Sequence, residues 1–139
     1  MQAAQSLFEA GRAAHEQGEV EAAYEQYAQA HRITRELGVR IAGLEDSFAE
    51  LCVSVQDFKR AKELYREVIR VDSQEIPQRY LALAQLETGS TAAGLYLKGI
   101  ELLRAVQSAQ QGEEEFHTGA GAIASAYAAL AELYMTDLW

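Results

Sequence analysis

The sequence predicts an all-α fold, a helical solenoid (α-solenoid) of about seven antiparallel helices, on three observations. One pattern recurs three times: Ala23, Tyr27 and Ala30; Ala61, Tyr65 and Val68; Ala92, Tyr96 and Gly99. Each copy has a small residue four places before an aromatic, then a small or apolar residue three places after it. Self-similarity on this scale marks a repeat architecture. Ala, Leu, Glu and Gln dominate the composition, with one Pro and no Asn, which favours helix. Apolar residues also recur at helical spacing, most clearly Phe58, Ala61, Leu64, Tyr65, Val68 and Ile69. A solenoid presents a groove rather than a catalytic pocket, so function becomes a matter of what the groove holds.

The elements follow in order. Leu7, Ala10, Gly11 and Ala14 share one face of a first helix near residues 3–17, which Gly18 breaks. A second runs from about 19 to 37 and stops at Gly38, the residue type that ends helices most readily. Leu44, Phe48, Leu51 and Cys52 give a third over about 41–55, and Asp57 caps a fourth that ends at Asp72-Ser73. Pro77 suits the first turn of a helix over about 76–88, where a missing N–H costs nothing. Thr88-Gly89-Ser90 turns into a helix over about 91–107. The stretch 108–115, rich in Gln and Glu, has no apolar face and reads as an exposed acidic linker. The last helix starts within 114–120 and continues to about Leu138. These elements predict a single domain over 1–139 with about 3.5 repeats.

Charge and composition narrow the function. Twelve basic against 21 acidic residues give a net charge of −9, which repels phosphate backbones and anionic membranes and suits a basic partner. No apolar run reaches the roughly 20 residues of a membrane span, and no signal peptide opens the chain, so a soluble intracellular protein is expected. The single cysteine, Cys52, falls at a core-like helical position and reads as an inert buried thiol. His15, His31 and His117 lack ligand spacing, so no metal is expected; His31, near the end of the second helix, is expected at a solvated surface or interacting with the helix dipole. Gly119-Ala120-Gly121-Ala122-Ile123-Ala124 fits the letter of a dinucleotide fingerprint, but no strand precedes it and no acidic residue follows at the right remove. No nucleophile–base–acid set can be assembled. The expectation is a non-enzymatic protein without cofactors.

Tyr127, Leu130, Ala131 and Tyr134, then Tyr80, Leu83 and Ala84, then more loosely Leu7, Ala10 and Gly11, resemble the first-helix signature of the tetratricopeptide repeat, a helical hairpin of roughly 34 residues. The resemblance implies a tetratricopeptide-repeat superhelix. Spacing departs from that period: Ala23–Ala61 is longer, which implies extra residues around Gly38–Gly43, and Ala61–Ala92 is shorter, which implies a shortened hairpin near Thr88–Gly89. Tyr80-Leu81-Ala82-Leu83-Ala84-Gln85-Leu86-Glu87-Thr88-Gly89, the segment Tyr96–Leu103 and the run Ala131-Glu132-Leu133-Tyr134-Met135-Thr136-Asp137-Leu138 resemble the dedicated assembly chaperones of the large-subunit ribosomal protein "L four". That resemblance is limited to about residues 78–138 and implies a truncated or minimal member, working in cytoplasm and nucleus.

In such solenoids the first helix of each pair lines the concave side. The register then places Gln5, Phe8, Arg12, His15 and Glu16 there from the first repeat, and Asp46, Glu50 and Val53 from the second. The third gives Gln78, Leu81 and Gln85; the fourth gives Ser125, Glu132, Met135 and Thr136, with Asp137 near the end. Glu16, Asp46, Glu50, Gln78, Gln85, Ser125, Glu132, Thr136 and Asp137 are therefore the expected partner-binding residues. The resemblance implies that this acidic groove shields a long basic segment of a ribosomal protein during ribosome assembly. The cationic clamp with which other tetratricopeptide domains hold acidic chaperone tails is absent, since its positions carry Phe8, Gly43, Ser47, Gln78 and Ala82, with only Arg12 basic. The alternative is a generic tetratricopeptide scaffold that joins proteins of another complex. Tyr127, Leu130, Leu133, Leu138 and Trp139 further predict self-association through the C-terminal helix.

Overall fold

Left-handed residues set the turns between helices. Gly38 adopts φ 68°, and its N–H bonds Arg35 O while Val39 N bonds Thr34 O at 3.0 Å. This closes a helix whose last carbonyls would otherwise lack donors. The computed structural model describes residues 2–109 and 116–136, with side chains described over 2–108 and 123–135. Among them are seven helices: α1 Gln2–Glu16, α2 Val20–Leu37, α3 Leu44–Ser54, α4 Phe58–Val71, α5 Pro77–Leu86, α6 Gly89–Ala109 and α7 Phe116–Thr136. No strand occurs among the described residues. The extra residues expected at Gly38–Gly43 form the α2–α3 connection, and α5 is the short helix, with 10 residues. Residues 110–115 of the expected linker lie outside the described residues, while Ser108 and Ala109 still belong to α6.

The chain packs as two units, Met1–Val68 and Ile69–Trp139. In the first, Phe48 of α3 has 0 % exposure and is ringed by Tyr24, Tyr27 and His31 of α2, at centroid distances of 5.2, 6.1 and 6.1 Å. The Arg60 guanidinium of α4 lies 5.3 Å from the same ring, in cation–π geometry. Ala4, Phe8 and Ala14 of α1 complete this core, with Leu51, Cys52, Leu64 and Val68. Gly11 is where α1 meets α2. A Cβ there would lie 2.7 Å from Tyr27 Cδ1, so only glycine admits the ring at this distance. Burial pushes the Cys52 thiol up to about 12, leaving it protonated and unreactive at neutral pH.

The second unit repeats the device with roles exchanged. Leu81 of α5 presses against Gly99 of α6, where a Cβ would lie 2.5 Å from Leu81 Cδ2. Ala84, Ala92, Ala93, Tyr96 and Ile100 form its core with Ala126 and Leu130 of α7. Pro77 starts α5 from an extended Ile76, and buried Arg79 folds the preceding loop back by pairing with Asp72 at 2.9 Å and donating to Gln74 O at 3.3 Å. All three recurring triads are buried: Ala23, Tyr27, Ala30; Ala61, Tyr65, Val68; Ala92, Tyr96, Gly99.

Two expectations are corrected. His31 is not at a solvated end: it is 5 % exposed, packed against Phe48 of α3 with Glu67 of α4 3.5 Å from Nε2. Its burial lowers the imidazole pKa, against the pull of Glu67. Phe8 does not line a groove but is buried against Tyr27, with centroids 6.0 Å apart.

The α1–α2 and α3–α4 turns share one hydrogen-bond pattern. Glu19 N bonds Ala14 O at 2.8 Å, and Asp57 N bonds Cys52 O at 2.8 Å. The left-handed position is Gly18 in one and Gln56, at φ 66°, in the other. A side chain there costs roughly 1–2 kcal/mol, partly offset by the extra chain entropy that glycine loses on folding. Gln56→Gly should therefore stabilise the protein by about 1 kcal/mol, raising its thermal midpoint by a few degrees; an unchanged or lower midpoint contradicts this. Asp57 also joins the two hairpins, because Oδ1 caps α4 at Arg60 N (3.4 Å) and Oδ2 accepts from the Tyr24 hydroxyl at 2.6 Å. Tyr24→Phe should cost about 1 kcal/mol and Asp57→Ala about 2, since the latter also removes the cap. The double variant should fall short of the sum, as urea unfolding of all four proteins would reveal.

Candidate functional site

In the first unit α1 and α3 carry the three predicted carboxylates. Asp46 and Glu50 stand one turn apart on α3, half-buried and exposed respectively, and Glu16 is the exposed last residue of α1. Two tyrosine hydroxyls report how they lie. Burial raises the pKa of Tyr27, with Glu50 and Glu16 adding to the rise and Arg12 opposing it. Burial pushes Tyr65 up to about 12, with Glu50 and then Asp46 reinforcing it. Glu50 thus contributes at both phenols, while Glu16 contributes at Tyr27 and Asp46 at Tyr65. Asp46 and Glu50 share one face of α3 on successive turns.

In the second unit Gln78 and Gln85 lie two turns apart on α5, both exposed. Gln85 lines a recess of about 220 Å³ together with Leu81, Tyr96, Ser125, Ala126 and Ala129. Burial raises the Tyr96 pKa, and the Glu132 carboxylate adds to it. Gln85, Ser125 and Glu132 therefore gather about Tyr96, while Gln78 lies outside the recess lining. The Thr136 side chain and Asp137 lie outside the described residues, as do Leu138 and Trp139. Ala126 and Ala129 are not among the residues expected from the sequence. The available signal was two alanines three places apart on α7, facing a position that the repeat reserves for an aromatic.

Among the described residues, no group of three or more His, Cys, Asp or Glu side chains could hold a metal ion, and no helix is long and apolar enough to cross a membrane. The side chains present can donate and accept hydrogen bonds and supply negative charge to a bound chain.

The placement of Glu50 has a measurable consequence. Glu50→Gln should lower the pKa of both Tyr27 and Tyr65, followed by phenolate absorbance with Phe variants for assignment. An unaltered titration would place Glu50 elsewhere. The sign for stability follows from burial. The fold retains a Tyr65 proton up to about 12 that the unfolded chain releases near its ordinary 10.0. The contribution is complete below pH ~10 and is lost as pH rises toward the folded value.

No protein-family model matches the sequence, and no curated protein matches it. A solved structure does: the assembly chaperone of RpL4 (Acl4, residues 1–338), with a TM-score of 0.78 and 24 % sequence identity. The likeness covers 98 % of this chain and 56 % of that one, so the chain spans about half the length of the protein it matches. It therefore extends well beyond residues 78–138, where the resemblance in sequence lies. The chain has the all-α helical-repeat solenoid fold of that chaperone over nearly its whole length.

Proposed function

We propose that this protein is a non-enzymatic, client-binding chaperone that shields a basic, extended segment of a ribosomal protein on the acidic face of its repeats. The likeness to the assembly chaperone of RpL4 carries the proposal and makes RpL4 the first client to test. The net charge of −9 supports it, because clustered carboxylates attract and hydrogen-bond Lys and Arg side chains. Helices formed before binding also leave only the client to be ordered. The proposed contacts are Glu16, Asp46 and Glu50 in the first unit and Gln78, Gln85, Ser125 and Glu132 in the second, continuing to Thr136 and Asp137.

A second reading is a scaffold that joins proteins, or copies of this chain, through α7. It is favoured by exposed apolar side chains on that helix, Tyr127 and Tyr134 two turns apart on one face at 39 % and 49 % exposure and Met135 at 78 %. Exposed patches of this kind mark association surfaces.

Salt and charge reversal distinguish the two. Binding of purified RpL4 should weaken steeply as ionic strength rises and fall by about tenfold or more in a variant carrying Asp46→Lys, Glu50→Lys and Glu132→Lys. Wild-type affinity in that variant would refute the acidic-face mechanism. Binding that is indifferent to salt but lost in Met135→Glu, or concentration-dependent self-association in light scattering, would support the scaffold instead.

A further inference from the structure

Tyr96 is only 8 % exposed, yet it lines a recess of about 220 Å³ whose other apolar walls are Leu81, Ala126 and Ala129. The two alanines leave the space, since larger side chains on the same face of α7 would occupy it. The recess is larger than the roughly 150 Å³ cavity that accommodates benzene, so it has room for one bulky side chain. Its polar members, Gln85 and Ser125, are both exposed and can donate and accept hydrogen bonds. Every residue of an extended peptide presents a backbone donor and acceptor that such groups can satisfy. The Glu132 carboxylate, whose field reaches the Tyr96 hydroxyl, makes the surroundings attractive to a neighbouring cation.

We infer that this recess is an anchor subsite for one Leu, Met or Phe side chain of an extended, otherwise basic client segment, with Gln85 and Ser125 bonding its backbone. The inference rests on the proposed client-binding function and adds the side-chain class that the second unit selects. Charge alone attracts any cationic segment and does not choose a register along it. A single apolar anchor does, because a misplaced register puts a cationic or small side chain into a space that rewards apolar bulk.

The test uses the full chain and two fluorescent synthetic peptides, both rich in Lys and Arg, one with a central Leu and one with a central Ala. In anisotropy titrations the Leu peptide should bind about tenfold tighter. Ala129→Leu and Ala129→Met fill the recess from its wall and leave Gln85 and Ser125 in place. Each should abolish the preference, bringing the two peptides to within about twofold of each other. Equal binding of the two peptides to wild type, or a preference retained in both filled variants, overturns the subsite and leaves the acidic-face reading standing. Failure of both peptides to bind at low salt, with helical circular dichroism intact, overturns the client-binding reading and the subsite together.

Discussion

The first unit depends on the enclosure of one ring. Phe48 touches no solvent, and α2 and α4 reach it through Tyr24, Tyr27, His31 and Arg60. Losing a buried Phe costs roughly 3–5 kcal/mol, against a total stability of about 5–15 kcal/mol for an ordinary domain. Other contacts in the unit are set by this one. Gly11 must lack a side chain because Tyr27, held against Phe48, also presses on α1. His31 is buried because it completes the ring of aromatics, so its imidazole is neutral in the fold despite the nearby Glu67 carboxylate.

Core packing and surface charge meet at the recurring tyrosines, which α2, α4 and α6 supply while the carboxylates stand on α1, α3 and α7. Tyr27 and Tyr65 direct their rings inward while their hydroxyls lie within the field of Glu16, Glu50 and Asp46. Tyr96 does the same in the second unit, with Glu132 as the neighbouring charge. The recurring aromatic thus serves both stability and surface. Burial already disfavours phenolate, and the carboxylates disfavour it further, so these hydroxyls stay protonated at neutral pH and can act as hydrogen-bond donors.

Much of the fold was legible because it rests on local chemistry. Gly38, Asp57 and Pro77 mark helix ends through φ, a side-chain cap and a missing N–H, which are properties of single residues. The recurring small–aromatic–small triads marked the inter-helix seams, and all nine positions are buried. What escaped notice depends on which helix lies opposite. His31 looked terminal and exposed because nothing in its own helix shows that Phe48 of α3 lies against it. Phe8 shares a face with Arg12 in the sequence, yet its ring turns inward to Tyr27 while Arg12 remains exposed, its guanidinium 5.7 Å from the Phe8 ring. The recess beside Tyr96 could not be foreseen from α7 alone, since its far wall, Leu81, belongs to α5. Gln56 escaped for a different reason: it occupies a position where glycine is the usual signal.

The most direct measurement is an NMR titration of the chain with RpL4, following the ring resonances of Tyr27, Tyr65, Tyr96 and Tyr134. A client held on the acidic face should shift Tyr27, Tyr65 and Tyr96, whose hydroxyls lie within the field of the carboxylates. Shifts confined to Tyr134, with the other three unchanged at saturation, would place the partner on α7 and contradict the acidic face as the binding surface.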